Sequence, residues 1–167
     1  IRYIAFEDGI AGFKPDNSQN VFQKRYGDCK GMANLTKQML KLAGFDARLC
    51  WIGTNHIAYD YSTPSLSVDN HMICALIKDG KKYFLDGTEK YNSFGEYANR
   101  IQGKEVLIED GEKFILDKIP VQNAKSNTEK SIIKYVIENE TLKGKVKIEY
   151  DGESRASFLY NYNSIKN

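Results

Sequence analysis

The sequence predicts an α+β fold in which an amphipathic helix packs on an antiparallel sheet. Residues 29–43 place apolar side chains at helical spacing between Asp28, a favourable N-cap, and Gly44, a favourable helix stop. Apolar segments within residues 71–87 flank an Asp-Gly pair, which is typical of a two-residue hairpin turn. Residues 131–150 alternate apolar and polar side chains, and they predict a second hairpin.

The composition narrows the class of protein and of partner. With 167 residues, the chain is long enough for one core and a small second module. The net charge is only +2, and the basic residues are scattered among acidic ones, which argues against a nucleic-acid partner. No apolar stretch approaches the length of a membrane span.

The segment before the main helix is expected to be extended over residues 1–16 and helical over residues 17–26. Either Asn17 or Ser18 would cap this short helix, because both side chains carry an oxygen that can accept from a free backbone N–H. The inward-facing side chains of the short helix are expected to be Val21 and Phe22.

The segments after the main helix complete the predicted sheet. Residues 45–53 are expected to form a strand, and residues 54–70 a long irregular loop, a type of loop that is usually functional or mobile. The hairpin strands are expected at 71–78 and 81–87. Further along, the pattern predicts a short helix near 94–99 and two short strands at 104–109 and 113–117.

The chain is expected to divide into a core over residues 1–119, a polar linker over 120–127, and a β-rich segment over 128–167. The last segment would contain the second hairpin and a helix over 154–165. We expect it to begin a following β-rich domain, so that further domains flank this chain in the full-length protein.

A thiol, an imidazole and a carboxylate follow one another in an order that suits a cysteine nucleophile. Cys29 occupies the first position of the main helix, where free N–H groups and the helix dipole favour a thiolate. His71 opens a strand, and Asp86 closes the next one. An imidazolium beside the thiol would lower its pKa further and could later protonate a leaving group.

The hairpin register indicates that the imidazole and the carboxylate meet. A two-residue turn pairs Lys78 with Lys81 and places Ile73 opposite Asp86. His71 then lies on the same face as Asp86 and diagonal to it, at a backbone distance of roughly 7–8 Å. A three-residue turn would break this parity. Cys29 would reach His71 if the main helix packed on that face of the sheet.

With these residues in place, the chain resembles the transglutaminase-like superfamily of papain-type cysteine enzymes, and most closely its bacterial multidomain members. The matching motifs are RYGDCK at Arg25–Lys30, NHMI at Asn70–Ile73 and YFLDGT at Tyr83–Thr88. The resemblance covers about residues 1–110. Two positions depart from the pattern, because the superfamily usually has an acidic residue in place of Gly31 and often a proline in place of Gly87.

The resemblance implies acyl transfer on amide substrates, either peptides or glutamine side chains. Cys29 would be the nucleophile, His71 the general base and acid, and Asp86 the group that orients His71. Hydrolysis, as in a protease or amidase, is expected before cross-linking. The alternative is a catalytically silent transglutaminase-like module that binds partners within a larger cell-envelope protein.

The resemblance also implies that the enzyme needs no organic cofactor. Calcium dependence belongs to particular branches, and the sequence has no acidic loop with calcium-ligand spacing. A periplasmic or extracellular location is implied as well. The three cysteines by themselves do not exclude the cytoplasm.

An acyl-transfer site also needs donors for the developing oxyanion. The backbone N–H of Cys29 is one candidate, and a side-chain amide from Gln19 or Gln23 is a second, papain-like candidate. Taken singly, either glutamine fits an exposed position on the short helix better.

Aromatic side chains near the site are candidates for lining a substrate cleft. Trp51 lies in a strand and fits the core better than a substrate platform. Tyr59 and Tyr61 lie in the long loop, where exposed tyrosines are common.

The other sulfur and imidazole groups are weaker candidates. His56, the only other histidine, lies in the irregular loop with no carboxylate strand behind it. Cys50 and Cys74 lie within apolar strands and fit burial as small hydrophobic side chains. The cysteines and histidines lack the spacing of a metal site, so no metal is expected.

Overall fold

The computed structural model describes residues 1–5 and 8–165 and has the predicted α+β class. The expectation of an extended segment over 1–16 includes Phe6 and Glu7, which lie outside the described residues. Within that segment, Gly9–Gly12 form a 3-10 turn. The α-helices are α1 (Ser18–Lys24), α2 (Cys29–Leu42) and α3 (Gly152–Ser164).

The strands of the described residues form three sheets. The largest has five antiparallel strands in the order β5-β4-β3-β6-β7. A short parallel pair joins β1 to β2, and an antiparallel hairpin joins β8 to β9. The strands are β1 (Arg2–Tyr3), β2 (Tyr26–Gly27), β3 (Asp46–Ile52), β4 (His71–Lys78), β5 (Lys81–Leu85), β6 (Glu105–Asp110), β7 (Lys113–Lys118), β8 (Glu129–Glu138) and β9 (Thr141–Tyr150).

The chain separates into two compact units. The first comprises Ile1–Glu89 and Ser93–Val121, and it contains the five-stranded sheet with α1 and α2. The second comprises Lys90–Asn92 and Gln122–Asn167, and it contains the β8–β9 hairpin and α3. The predicted domain limits at 119 and 128 remain predictions.

The β4–β5 hairpin has the register that the sequence predicts. Lys78 pairs with Lys81, and Cys74 pairs with Leu85, so the next position places Ile73 opposite Asp86. The two turn residues, Asp79 and Gly80, have φ angles of 52° and 72°. Positive φ at both central positions is the conformation of a type I′ turn, whose twist matches that of the strands.

Helix α2 packs on β3 and β4 through a small apolar cluster of Ala33, Leu49 and Met72, with Trp51 at its margin. Because side chains alternate along a strand, this is the face opposite to that of Ile73. Helix α2 therefore does not cover the face of His71 and Asp86, the packing under which the sequence would bring Cys29 to His71.

The opposite face of the sheet holds the larger part of the core. Tyr97, Ala98 and Ile101 cover this face from the segment that precedes β6. No helix forms over 94–99, so that expectation is wrong, and the apolar residues there serve burial instead. The cluster consists of Cys50, Ile52, Ile73, Ala75, Phe84, Tyr97, Ala98, Ile101, Val106, Ile108 and Ile119.

The predicted limits of α2 are confirmed by its capping contacts. The Asp28 carboxylate accepts a hydrogen bond from the Gly31 N–H at 2.7 Å, and Gly44 follows the helix with a φ of +87°. The apolar stripe runs past the packed part of the helix, because Met39 and Leu42 in the last turn are exposed.

Helix α1 packs on the start of α2 through Val21, which is fully buried. Asn17 is the N-cap and accepts from the Gln19 N–H at 2.9 Å. The expectation for Phe22 is wrong, because its ring is exposed and lies 4.4 Å from the Arg25 guanidinium. A Cβ at Gly31 would lie 3.0 Å from a Val21 methyl, so a larger residue at this position would crowd the contact between α1 and α2.

The second unit contains the predicted hairpin and helix. In β8–β9, Ile133 pairs with Val146 and Ile137 with Leu142, and all four side chains are exposed. Phe158 of α3 stacks at 4.8 Å from the ring of Tyr150. No helix formed by the described parts of the chain is long and apolar enough to cross a membrane.

Candidate active site

The three residues of the predicted triad stand at one end of the five-stranded sheet. Cys29 is the first residue of α2, His71 is the first residue of β4, and Asp86 directly follows β5. His71 pairs with Ile52, the last residue of β3. Since His71 stands at the end of its strand, its ring can be reached from a helix that packs on the other face.

The imidazole of His71 bridges the thiol and the carboxylate. Its Nε2 lies 2.7 Å from Asp86 Oδ2, and both side chains are almost completely buried. The thiol of Cys29 is hydrogen-bonded to the same imidazole. With Nε2 engaged by the carboxylate, Nδ1 is the nitrogen that remains for sulfur.

The surroundings of Cys29 favour its thiolate. Burial alone raises the pKa of the thiol, but the hydrogen bond and the positive charge of His71 outweigh burial. The charge of Lys30 and a hydrogen bond from the Met72 backbone act in the same direction, so the thiol pKa lies below its ordinary value. Lys30 is itself buried and forms an ion pair with Asp28 at 2.5 Å.

The surroundings of His71 favour its protonated form. Burial lowers the pKa of the imidazole, and the charge of Arg100 also lowers it. The hydrogen bonds to Asp86 and Cys29 and the charge of Asp86 outweigh both effects and raise the pKa to about 9. A lowered thiol pKa beside a raised imidazole pKa favours a thiolate–imidazolium pair.

Asp86 is buried, and each of its two oxygens is hydrogen-bonded. Thr88 donates to Oδ1 from its backbone N–H at 3.0 Å and from its hydroxyl at 2.7 Å. Arg100 donates from Nη2 to Oδ2 at 2.8 Å. Burial raises the pKa of the carboxyl, but the hydrogen bond from His71 and the charges of His71 and Arg100 outweigh it and lower the pKa.

Sequence reasoning missed both of these partners of Asp86. Thr88 had a local signal, because a threonine two residues after an aspartate commonly bonds back to the carboxylate. Arg100 had none, since it lies in a segment without regular secondary structure, fourteen positions from Asp86 along the chain.

The start of β4 is fixed by a pair of side chains at the sheet end. The Asn70 side chain accepts from the Thr54 N–H at 2.9 Å and donates to the Thr54 hydroxyl at 3.1 Å. Its backbone N–H donates to Ile52 at 3.2 Å. These bonds hold the residue before His71 against the end of β3.

Cys29 and His71 open on a cleft of about 530 Å³, called the Cys29 cleft below. Trp51, one of the candidate cleft residues, lines it. Exposed apolar side chains lie at its margin, namely Phe13 and Leu66. The cleft is lined by Gly9, Gly12, Phe13, Cys29, Lys30, Trp51, Leu66, Asp69, Asn70, His71 and Met72.

The other two predicted cleft residues lie elsewhere. Tyr59 and Tyr61 line a separate cavity of about 210 Å³ with Lys104 and Glu105. The hydroxyl of Tyr61 donates to Asp69 at 3.2 Å, and Asp69 does line the Cys29 cleft. Tyr61 therefore stands behind the cleft wall.

The two glutamines proposed as oxyanion donors are exposed on α1, and neither Gln19 nor Gln23 lines the Cys29 cleft. Helix α1 turns Val21 toward α2 instead. The backbone N–H of Cys29 remains a candidate donor, because the first N–H groups of a helix have no partner within the helix.

The remaining candidates differ sharply from the triad residues. His56 is exposed in the loop. Cys50 and Cys74 are fully buried free thiols, and burial raises the pKa of both, that of Cys74 to about 12. No group of three histidine, cysteine, aspartate or glutamate side chains within 1–5 and 8–165 is arranged to hold a metal ion.

No family model matches the chain, and neither a curated protein nor a solved structure matches it.

Proposed function

We propose that this chain is a transglutaminase-like cysteine enzyme, of papain-type core, that transfers acyl groups from amide substrates through Cys29, His71 and Asp86. The observation that carries the proposal is a single one. A thiol at a helix start is hydrogen-bonded to an imidazole whose Nε2 is held at 2.7 Å by a buried carboxylate, and the thiol and imidazole face a cleft.

The reaction would begin from the thiolate–imidazolium pair. The sulfur of Cys29 attacks the amide carbonyl carbon, a C–S bond forms, and the carbonyl electron pair moves to oxygen. As the oxyanion collapses, the C–N bond breaks, and His71 gives its proton to the departing ammonia or amine. The product of this half-reaction is a thioester on Cys29 and a neutral imidazole.

The second half-reaction regenerates the site. His71 takes a proton from water while the water oxygen attacks the thioester carbon. The C–S bond then breaks, the carboxylic acid leaves, and the thiolate–imidazolium pair is restored. An amine in place of water would give a new amide by the same steps.

Each step has a residue suited to it. Asp86 orients the imidazole and balances its positive charge. The backbone N–H of Cys29, which lies at the N-terminus of α2, is placed to donate to the oxyanion.

The Cys29 cleft suits a peptide or protein substrate. Trp51, Phe13, Leu66 and Met72 offer apolar contacts along it. A cleft lined mainly by apolar side chains with a few polar groups is the usual form of a ligand site. We therefore propose that apolar residues beside the scissile or deamidated amide increase the rate.

Ammonia release from glutamine peptides tests the proposed reaction, with proteolysis of unlabelled peptides followed in parallel by mass spectrometry. We expect release by the wild-type chain and none above background by Cys29→Ala. An added primary amine would be incorporated only if it reaches the thioester before water does. Equal release by wild type and Cys29→Ala would refute the nucleophile assignment.

The second candidate is a silent binding module, and the burial of its thiol favours it. Cys29 and His71 are only 8% and 7% exposed, although a nucleophile has to touch its substrate. Iodoacetamide separates the two candidates, because an activated Cys29 would be labelled much faster than the buried Cys50 and Cys74. Labelling of Cys29 as slow as that of the other two would favour the binding module.

The resemblance that suggested the reaction also leads us to propose a periplasmic or extracellular location. Fractionation of native cells followed by detection of the protein tests this. Recovery in the cytoplasmic fraction alone would refute the proposed location, and the proposed reaction at Cys29 would be unaffected.

A further inference from the structure

The backbone of Arg100 is anchored by its neighbours although its segment has no regular secondary structure. Its neighbours Ala98 and Ile101 are buried in the core beneath the sheet. Its carbonyl accepts from the Asn55 N–H at 2.7 Å. The backbone of Arg100 is therefore fixed on both sides, and its side chain, one-third exposed, extends toward the end of the sheet.

The guanidinium of Arg100 contacts three residues that follow β5. Nη2 donates to Asp86 Oδ2 at 2.8 Å and to the Thr88 hydroxyl at 2.9 Å, and Nε donates to Glu89 at 3.0 Å. The same Nη2 lies 3.4 Å from Nε2 of His71. Asp86 Oδ2 is thus shared between the imidazole and a permanent positive charge.

This sharing matters because the charge of His71 changes during acyl transfer, whereas that of Arg100 does not. When the imidazole is neutral, a buried Asp86 without Arg100 would be an ion without a counter-charge, which is costly. When the imidazole is protonated, Arg100 competes with it for the same oxygen. Arg100 therefore stabilises the Asp86 carboxylate when His71 is neutral. When His71 is protonated, Arg100 weakens the attraction between Asp86 and the imidazolium, so His71 holds its proton less tightly.

We infer that Arg100 is a positioning residue, which keeps the Asp86 carboxylate ionised and aimed at His71 and limits how tightly His71 holds its proton. An imidazolium that binds its proton too tightly is a poor general acid at neutral pH. The inference deepens the proposed function and rests on it for its effect on rate. The effect of the Arg100 charge on the protonation of His71 can be measured in the resting protein, without any reaction.

Among residues 1–5 and 8–165, the charged and titratable groups that act on the pKa of His71 are Asp86 from the end of β5, Cys29 from α2, and Arg100. Because the thiol and imidazole titrate together, the ground-state experiment uses chains that carry Cys29→Ala. The variants are Arg100→Gln and Arg100→Lys. The matched control is Glu89→Gln, which alters the side chain that pairs with Arg100 and leaves the backbone bond from Glu89 to the Asp86 carbonyl in place.

The first readout is the NMR titration midpoint of the His71 ring. Loss of the Arg100 charge raises the midpoint by about 0.5–1 pH unit, a partial effect because Arg100 is partly exposed and paired with Glu89. Arg100→Lys keeps the charge and brings the midpoint back toward that of the parent. Glu89→Gln moves it by less than about 0.3 unit, and downward, because it removes a negative charge.

The second readout is the pH profile of ammonia release, with Cys29 intact. Arg100→Gln shifts the alkaline limb upward by the same amount and lowers the rate at neutral pH by about tenfold. A midpoint within about 0.2 unit of the parent, with only a lower melting temperature, would overturn the inference. If Arg100→Gln does not fold, the Arg100→Lys variant provides the test. A His71 midpoint more than about 0.5 unit below that of the parent would contradict control of His71 by the charge of Arg100.

The two proposals fail separately. A wild-type chain that releases no ammonia refutes the proposed function, while the midpoint in the Cys29→Ala background still decides the role of Arg100. An active enzyme with an unmoved midpoint in Arg100→Gln refutes only the inference.

Discussion

Nε2 of His71 lies 2.7 Å from Oδ2 of Asp86, and the two side chains are 5% and 6% exposed. This contact fixes the plane of the imidazole and leaves Nδ1 for the Cys29 thiol. A charged or partly charged pair at such burial is favourable only when its remaining hydrogen-bonding capacity is used. Thr88 and Arg100 donate the remaining hydrogen bonds to Asp86, and the Cys29 thiol is the remaining hydrogen-bond partner of His71.

Replacement of Asp86 by asparagine should remove most of the activity. The amide is nearly isosteric but lacks the charge that raises the pKa of His71, so the thiolate–imidazolium pair loses its support. We expect kcat/KM for ammonia release to fall by about 10³-fold or more and the alkaline limb to move to lower pH.

Asp117→Asn is the matched control for this change, because Asp117 forms an ion pair with Lys82 away from the triad. Its kcat/KM should stay near that of the wild type. An Asp86→Asn chain that keeps wild-type kinetics would contradict the orienting role of Asp86.

The pH dependence of the reaction should be bell-shaped. The acid limb reports protonation of the Cys29 thiolate, whose pKa lies below its ordinary value of 9.0. The alkaline limb reports loss of the His71 proton with a pKa of about 9, so activity falls as the pH rises through that value. A profile of kcat/KM measured at constant ionic strength checks both limbs.

Iodoacetamide labelling tests the acid limb without any substrate. The labelling rate of Cys29 should rise with pH around a midpoint below 9.0, because only the thiolate reacts. Cys74, with a pKa raised to about 12, serves as the internal control and should label slowly throughout. A Cys29 midpoint above 9.0 would contradict activation by the helix start and His71.

Removal of the Thr88 hydroxyl should lower the activity but not abolish it. Thr88→Val keeps the shape and the backbone N–H bond to Asp86 but loses the hydroxyl that donates to Asp86 and accepts from Arg100. We expect kcat/KM to fall about tenfold, in keeping with one lost bond to a charged group. Thr88→Ser retains the hydroxyl and should stay near wild type, and equal losses in both variants would point to packing instead.

The contact between α1 and α2 leaves little room for a side chain at Gly31. In Gly31→Ala, the new Cβ would lie 3.0 Å from a Val21 methyl and 3.3 Å from the Asp28 carboxylate that caps α2. We expect the free energy of unfolding in urea to fall by about 1–3 kcal/mol. Activity should fall as well, because Cys29 stands in the displaced first turn.

Met39→Ala is the control for this helix, since Met39 is exposed in its last turn. It should change the free energy of unfolding by no more than about 0.5 kcal/mol. If Gly31→Ala is equally mild, the packing of Val21 on α2 is looser than its burial indicates.

The residues that sequence reasoning placed well are those governed by their near neighbours. Asp28 caps α2 through an N–H three residues away, and Asp79-Gly80 closes the hairpin within two residues. From that turn, alternation along two strands was sufficient to bring His71 and Asp86 together. Such features require only local geometry, so the amino-acid order specifies them directly.

The residues that sequence reasoning misplaced depend on contacts between distant segments. Phe22 and Val21 are both apolar, and only the position of α2 decided that Val21 would be buried and Phe22 exposed. The same packing turned Gln19 and Gln23 away from the Cys29 cleft. A pattern of residue types gives no direction in space, so it does not distinguish these outcomes.

By itself, the sequence determined the helix that begins at Cys29, the register of the β4–β5 hairpin, and the pairing of His71 with Asp86. Only the tertiary structure decided that α2 lies on the opposite face of the sheet and still brings its thiol to the imidazole at the sheet end. It also decided that Arg100 shares the carboxylate of Asp86. The physical reason is range, because caps, turns and alternation act over a few residues, whereas packing and charge complementarity join segments far apart in the chain.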